Sequence, residues 1–259
     1  MLLASFFILI IACLAGIDGI LDEWQFYQPI VTCTLIGFAF ADVSTGILLG
    51  ATLQLIMSGW VNLASVISPD ISFAGVASAV MVCGPAQLTI GQGTIIAIIA
   101  AVIGRFLTIR TRKFMVNVTH QADQAAIEAN LNKINLLQWL SMFIQGLRVM
   151  VPTILVLLLS NTVVGSWGQM IPKSVNIGLD ASTGLLSVVG FSIIITTIET
   201  RALWLWFVGG FLIATFLKLD LVIIVLIGIC LTIIYIIIEN RRNDKNAQDD
   251  PFSDDLDDL

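Results

Sequence analysis

Four polar side chains that can hold a neutral, hydroxyl-rich solute lie within seven residues near the start of the chain. The segment 16–29, GIDGILDEWQFYQP, carries Asp22, Glu23, Gln25 and Gln28 between aromatic residues. Carboxylates accept hydrogen bonds, carboxamides donate and accept them, and aromatic faces cover the apolar side of a sugar ring. An anion would instead require arginine or a glycine-rich nest. An interfacial turn with its aromatic residues at the lipid headgroups explains the same composition.

Two further segments place isolated polar groups between apolar runs. In SGWVNLASVISPD (58–70) these groups are Asn62 and Asp70, and Gln54 precedes Asn62 by eight residues, on a nearby face of a continuous helix. In GPAQLTIGQG (84–93) the polar groups are Gln87, Thr89 and Gln92. Each is also typical of a buried amide or carboxyl group whose hydrogen bonds are satisfied within the protein.

The first 104 residues contain five carboxylates and no Lys, Arg or His: Asp18, Asp22, Glu23, Asp42 and Asp70. A carboxylate beside hydrocarbon is costly unless it is paired, hydrated or protonated. A water-filled cavity, a second subunit, a bound cation or the hydroxyls of a solute would each meet that need. Arg148, alone within a later apolar run, is predicted to neutralise one of these carboxylates in a structural role.

The sequence predicts no catalytic, metal or cofactor site. His120 is the only histidine and lies in a polar segment typical of a surface helix, and the four cysteines stand singly in apolar runs. No second histidine or paired cysteine is present to build a nucleophilic or metal-dependent centre. The absence of a basic surface argues against nucleic-acid binding.

The elements that hold these residues are predicted to be membrane helices. Hydrophobic residues make up 58% of the chain and charged residues 12%, about half the charged share of a soluble domain. Six stretches without ionisable residues reach the roughly 17–25 residues of a membrane span: 1–17, 43–61, 71–104, 149–172, 181–198 and 221–238. We therefore expect an all-α integral membrane protein, a multi-span helical bundle.

The N-terminal half is expected to contain broken or re-entrant helices. The stretch 71–104 is too long for one simple span and is interrupted at Gly84-Pro85, and the apolar runs 29–41 and 202–217 are short. Gly46 and Gly50 lie four residues apart, which favours a close helix-packing seam. Interrupted, polar-dotted apolar segments are also typical of discontinuous helices around a transport site.

Composition divides the chain into four predicted parts. They are a polar-dotted transmembrane half (1–110), a helical connector (111–135), a conventional transmembrane half (136–240) and an acidic tail (241–259). Eight of the 18 acidic residues lie in the last 21 residues, and we expect disorder from about Asn243 onward. The basic residues after 104 and near 241 predict that the connector and the tail are cytoplasmic.

Five stretches of the chain resemble one family of sugar transporters. They are GILDEWQFYQPIVTCTLIGFAFADVSTGILLGATLQLIMSGWVN (19–62), SPD (68–70), HQADQAA (120–126), QGLRVMVP (145–152) and IPKSVNIGL (171–179). In order and density they resemble the IIC subunit of mannose-family phosphotransferase-system sugar permeases, over about residues 4–240. The resemblance implies a channel in the bacterial inner membrane and an oligomeric complex with a IID membrane subunit. IIA and IIB proteins would phosphorylate the sugar, so the chain would be no enzyme by itself.

The same resemblance implies a set of sugar-binding residues. They are Glu23, Gln25, Asn62 and Asp70, with Asp22 and Gln54 as second choices. Asp18 stands where the family has a small residue, and Gln54 where an acid is common. The sugar is expected to be a hexose, mannose or glucose by default, with sorbose, fructose and amino sugars open.

Two other functions remain as alternatives. In an ion-coupled secondary sugar carrier, Asp22, Glu23 or Asp70 would bind protons or sodium ions. A membrane scaffold or receptor without transport would not need these residues for sugar uptake.

Overall fold

Helices make up the computed structural model, which describes residues 2–60, 67–162, 171–198, 203–217 and 220–248. In chain order they are α1 Leu2–Leu21, α2 Pro29–Ala39, α3 Val43–Met57, α4 Ile71–Cys83, α5 Ile90–Ile127, α6 Leu131–Thr162, α7 Lys173–Ile198, α8 Trp204–Leu217 and α9 Leu221–Gln248. No strand occurs within the described ranges. The all-α prediction is confirmed.

Within these ranges, five helices are long and apolar enough to cross a membrane: α1, α5, α6, α7 and α9. The other four, α2, α3, α4 and α8, are apolar but have only 10–17 residues each. The protein is therefore a multi-pass membrane protein that also contains short helices. The short helices α2, α3 and α4 fall in the N-terminal half, where broken or re-entrant helices were expected.

The stretch 43–61 does not form a span, although its length suggested one. Its helix α3 has 15 residues. Asp42 caps the N-terminus by accepting the N–H of Thr45, and the helix ends before Ser58-Gly59. The stretch begins where the helix begins, at Val43, but counting residues without charge missed the C-terminal end, since a turn needs no ionisable group.

The predicted interruption near Gly84-Pro85 is present. Helix α4 ends at Cys83, and α5 begins after Thr89, whose side chain accepts the N–H of Gln92. The Gln92 side chain in turn accepts the N–H of Thr89, so the two form a capping box. A helix start fixed in this way explains why one apolar stretch yields two helices.

The predicted connector 111–135 is helical but is not a separate element. Helix α5 continues through it to Ile127, and α6 begins at Leu131. Ala129 adopts a φ of 52°, and the Asn130 side chain accepts the N–H of Lys133 at 3.1 Å. The change in composition at residue 111 therefore reflects the end of the apolar part of α5, while the chain reverses only at 128–130.

At the C-terminal end, helix α9 extends to Gln248, five residues beyond the position where we expected disorder to begin. The polar segment after Glu239 continues the helical hydrogen bonding of the apolar run before it. Residues 249–259 of the predicted tail lie outside the described residues.

Helix α4 forms the centre of the core. All of its residues from Ser72 to Cys83 are buried. It packs against α1, α2, α3, α5 and α6. A helix that is apolar on every side belongs inside a protein. These five helices enclose α4, so the loop before it, including Asp70, reaches the core that they form.

Contacts divide the chain into two units, Met1–Thr197 and Ile198–Leu259. The first contains α1 to α6 and nearly all of α7. In the second, α8 and α9 pack on each other, with the Trp206 and Tyr235 ring centroids 6.2 Å apart in an edge-to-face arrangement. The polar residues predicted to bind sugar belong to the first unit.

Close backbone approach joins α2 to α3, as the glycine spacing predicted. A Cβ atom added at Gly46 would lie 2.6 Å from the Cys33 carbonyl oxygen and 3.1 Å from the Gly37 Cα atom. A Cβ at Gly50 would lie 2.8 Å from the Pro29 carbonyl oxygen. The seam therefore needs glycine at both positions.

We expect Gly46→Ala to lower the free energy of unfolding by about 1–3 kcal/mol, because the added methyl group forces the two helix backbones apart. Thermal unfolding of the purified protein measures the effect. The control is Gly184→Ala on α7, where nothing lies within 4 Å of the added atom. That change should be neutral or stabilise by at most about 1 kcal/mol. Equal shifts in the two variants would contradict the close packing of α2 against α3.

Candidate functional site

A cavity of about 530 Å³ lies where the end of α1, the loop after it, the end of α3 and the start of α4 meet α5 and α6. Its volume falls within the usual range for small-molecule sites, about 300–1,000 Å³. The polar residues in its wall include Asp22, Gln28, Gln54, Asp70, Arg112 and Arg148. Trp60 adds an aromatic surface.

The loop that closes one side of the cavity is held by Asp18. This carboxylate is 5% exposed and accepts three backbone N–H groups, from Trp24 at 3.1 Å, Phe26 at 2.6 Å and Tyr27 at 3.3 Å. Amide dipoles that converge on a buried carboxylate stabilise its charge without a cation. The loop takes a shape that L-residues rarely adopt, with φ of 55° at both Asp22 and Gln25. Asp18 therefore fixes a strained loop beside the cavity.

A chain of side-chain hydrogen bonds crosses from this loop to α3. Gln25 Nε2 donates to Asp22 Oδ1 at 2.5 Å, and Gln28 Nε2 donates to Gln25 Oε1 at 2.7 Å. Gln54 Nε2 on α3 completes the chain by donating to Gln28 Oε1 at 2.8 Å. Each carboxamide is oriented by its neighbour, so its remaining donor or acceptor groups have fixed directions.

Tyr27 supports the carboxylate at the end of this chain. Its hydroxyl donates to Asp22 Oδ1 at 2.9 Å. Burial, and then the hydrogen bond to Asp22, raise the pKa of Tyr27 to about 12. The phenol therefore stays protonated at physiological pH and remains a donor to Asp22.

An ion pair lies at the inner wall. Arg148 on α6 contacts Asp70 Oδ2 and the Thr108 hydroxyl on α5, and the Arg148 and Asp70 side chains are 4% and 5% exposed. Asp70 Oδ1 caps α4 by accepting the N–H of Phe73 at 3.2 Å. The prediction that Arg148 neutralises an N-terminal carboxylate is confirmed, and the pair joins α4, α5 and α6.

The structure brings some of the predicted sugar-binding residues together and leaves others out. Asp22, Gln54 and Asp70 line the cavity. Gln25 is exposed and does not line the cavity, but it is hydrogen-bonded to the cavity residues Asp22 and Gln28. Glu23 is also exposed and does not line the cavity. Asn62 lies outside the described residues.

Several residues of the site were not selected from the sequence. Gln28 belonged to the same polar segment as Gln25, and its distance from Gln54 could not be inferred without the helix packing. Arg112 was taken only as a marker of membrane orientation. Asp18 was expected to differ from the family but was not assigned to the site. The signal for its role in holding the loop was a carboxylate one helical turn before an irregular segment.

Polar contacts also attach the start of α7 to the start of α5. Asp180 Oδ1 accepts the N–H of Gly91 at 2.9 Å, and the Gln92 side chain donates to Asn176 Oδ1 at 2.7 Å. In the described parts of the chain, no group of three His, Cys, Asp or Glu residues is arranged to hold a metal ion.

Comparison with known proteins identifies relatives along most of the chain. The family model described as the phosphotransferase system sorbose-specific IIC component matches residues 2–234. The fructose permease IIC component of Bacillus subtilis (strain 168) is 38% identical over 228 residues, which cover 88% of this chain and 84% of that protein.

Two solved structures share the fold. One, described only as a membrane protein, has a TM-score of 0.85 at 36% sequence identity and covers 91% of this chain and 96% of its own. The other is a cryo-EM structure of the mannose transporter ManYZ in complex with microcin E492, with a TM-score of 0.61, the same identity, and coverage of 91% and 95%.

Proposed function

The chain belongs to the family of sorbose-specific IIC components of the sugar phosphotransferase system, and from that membership we propose that it carries a hexose across the bacterial cytoplasmic membrane for phosphorylation. The family match over residues 2–234 is the observation that carries this function. As a IIC component the chain is a sugar permease subunit. The phosphoryl-transfer step belongs to other subunits.

The proposed partners are a second membrane subunit, IID, and the phosphorylating proteins IIA and IIB. The relative described as the mannose transporter ManYZ supports a membrane complex. In the proposed reaction a sugar hydroxyl oxygen attacks the phosphorus held on a IIB histidine. The P–N bond breaks, a P–O bond forms, and the hydroxyl proton leaves to a base or to water. The basic residues after 104 and near 241 support a cytoplasmic location for the 105–135 region and the C-terminal tail.

We place the sugar in the cavity of about 530 Å³. Asp22, Gln28 and Gln54 offer it oriented acceptors and donors, and the Trp60 ring offers an apolar face. Asp70 lines the same wall, but Phe73, Thr108 and Arg148 already contact its carboxylate oxygens. It therefore shapes the site more than it binds. We propose no sugar contact for Glu23, because it lies outside the wall. Relatives named for mannose, fructose and sorbose leave the hexose open.

The decisive experiment measures the product of uptake. Membrane vesicles that contain the chain with its IID, IIA and IIB partners, together with the soluble proteins that pass phosphate from phosphoenolpyruvate to IIA, should accumulate sugar phosphate, and only when phosphoenolpyruvate is supplied. Accumulation of free sugar driven by a proton or sodium gradient would contradict the proposal and favour an ion-coupled carrier. Unchanged uptake after removal of the chain would favour a scaffold.

Gln54→Leu should raise the KM for sugar about tenfold, because it removes a carboxamide from the cavity and leaves Gln28 without its donor. The maximal rate should change less than the KM. Gln124→Leu on the exposed part of α5 is the matched control and should behave as wild type. If the KM of Gln54→Leu equalled that of wild type, α3 would contribute no sugar-binding residue at this position.

A further inference from the structure

A second, smaller cavity adjoins the sugar cavity on the side of Arg112, which belongs to the basic cluster 105–113. Its volume is about 360 Å³, and it lies between α5 and α6. Ile20 and Arg112 line both cavities. His120 and Gln145 belong to the smaller one only. The two spaces therefore meet at the Arg112 side chain.

The charges of this second cavity differ from those of the first. In the larger cavity, the Arg148 charge is balanced by Asp70. Arg112 has no ion pair or hydrogen-bond partner among the described side chains, and no carboxylate lines the smaller cavity. His120 Nδ1 lies 3.9 Å from Asp123 Oδ2, outside that lining. Arg112 is an exposed residue, and its guanidinium can donate to a neutral sugar hydroxyl, but a phosphate ester gains more because it also brings opposite charge and paired acceptor oxygens.

Gln145 supplies the second observation. Its side chain is on the α6 wall of this cavity, the residue is 9% exposed, and its Oε1 has no hydrogen-bond partner in the described part of the chain. Buried polar side-chain atoms are normally satisfied, so this unsatisfied and solvent-shielded oxygen indicates that the carboxamide turns toward a ligand in the cavity that it lines. Because the oxygen and nitrogen of a carboxamide are interchangeable by a half-turn, this group can present either end to a ligand.

We propose that the smaller cavity is the subsite for the phosphate group of a sugar phosphate, held by the Arg112 guanidinium and the Gln145 carboxamide. Arginine presents a planar pair of donors that matches two phosphate oxygens, and the turned carboxamide adds a third donor. Since this ligand is the product of the proposed function, the subsite rests on that function. The sugar ring stays in the larger cavity while its new phosphate reaches Arg112.

The subsite gives the product a route toward the cytoplasm. Arg112 belongs to the basic cluster 105–113, which marks the cytoplasmic end of the apolar part of α5 by the positive-inside tendency. The neutral sugar is bound by the carboxamide chain of the larger cavity. After phosphorylation, the new charge is attracted to Arg112, so the product is drawn in the direction in which it must leave.

The test uses the complete complex in inverted membrane vesicles, which expose the cytoplasmic face. The probe is the sugar phosphate collected from the wild-type reaction, offered as phosphoryl donor to the labelled free sugar. In Arg112→Gln, the KM for the sugar phosphate in this exchange should rise about tenfold or more. The KM for free sugar in the forward reaction should rise by a smaller factor, since Arg112 also lines the sugar cavity but carries the charge that the phosphate needs. Arg110→Gln is the matched control, since Arg110 lies on the same helix and lines neither cavity.

Two further variants keep the test informative if Arg112→Gln folds poorly. Arg112→Lys keeps the charge but loses the paired donors, so it should raise the KM for sugar phosphate by a smaller factor. Gln145→Glu places a carboxylate against the phosphate and should raise the same KM about tenfold. Wild-type values in both variants would overturn the subsite.

The remaining outcomes separate this inference from the proposed function and from lipid binding. If wild-type complex forms no sugar phosphate, the proposed function fails and the subsite fails with it. If wild type exchanges normally and Arg112→Gln matches it, only the subsite fails. If the Arg112→Gln effect vanishes in vesicles without phosphatidylglycerol, the ligand is a lipid headgroup and the sugar-phosphate subsite is wrong.

Discussion

Replacing Arg148 with methionine is expected to lower the free energy of unfolding by about 3–5 kcal/mol, the usual cost of removing one member of a buried ion pair. The Asp70 side chain is only 5% exposed, and its charge would remain inside the protein. The cation that contacts that carboxylate would be gone. Thermal unfolding of the purified protein in detergent measures the loss.

The double substitution Asp70→Asn/Arg148→Met separates charge from packing. Asparagine keeps an oxygen that can cap α4 at Phe73, and methionine fills most of the arginine volume. The double variant should recover most of the stability lost by either single variant. Arg110→Met, which removes an exposed cation of α5 that has no ion pair among the described residues, should leave stability unchanged. Additive losses in the double variant would show that Asp70 and Arg148 are not coupled.

The sequence predicted the fold class because composition alone determines it. Long uncharged runs have no stable alternative to helices in a bilayer, since the backbone must satisfy its hydrogen bonds internally. It also predicted the break near Gly84 and the pairing of Arg148 with an N-terminal acid. Helix ends were less predictable. The end of α3 depends on a turn at Ser58-Gly59, and the length of α5 depends on a turn at 128–130.

The candidate site was predicted in part. Segment 16–29 contains the loop at the cavity, but the family resemblance gave Glu23 priority over Gln28. In an irregular loop the side chains do not alternate between two faces with a fixed period. The sequence therefore does not indicate which side chain of the loop faces the cavity. Asp70 was assigned to sugar binding by the family resemblance. Its partner Arg148 lies 78 residues later, and only helix packing brings them together.

We expect the loss of Asp18 to raise the KM for sugar more than the loss of any single residue that lines the cavity, although Asp18 itself does not line it. Asp18→Ala removes the acceptor of three backbone N–H groups in the loop. Each buried N–H left without a partner costs about 1–3 kcal/mol. The positive φ angles at Asp22 and Gln25 would also lose the contacts that maintain them. The loop should then relax away from α3.

This relaxation should raise the KM for sugar about 10- to 100-fold, because Asp22 and Gln28 would no longer be presented to the cavity. Asp18→Asn keeps one acceptor oxygen and should fall between wild type and Asp18→Ala. Uptake kinetics and thermal unfolding are measured on the same preparations. Asp42→Ala is the control: it removes the cap of α3 and about 0.5–2 kcal/mol of stability, and should leave the KM for sugar unchanged.

The comparison of these variants distinguishes a positioning role from general destabilisation. If Asp18→Ala raised the KM no more than Asp42→Ala at equal loss of stability, the carboxylate would serve only to fold α1 against the loop. A large KM effect in Asp18→Ala alone would mean that the buried acid holds the recognition loop in its binding shape. Asp18 would then be a determinant of which sugar the cavity accepts.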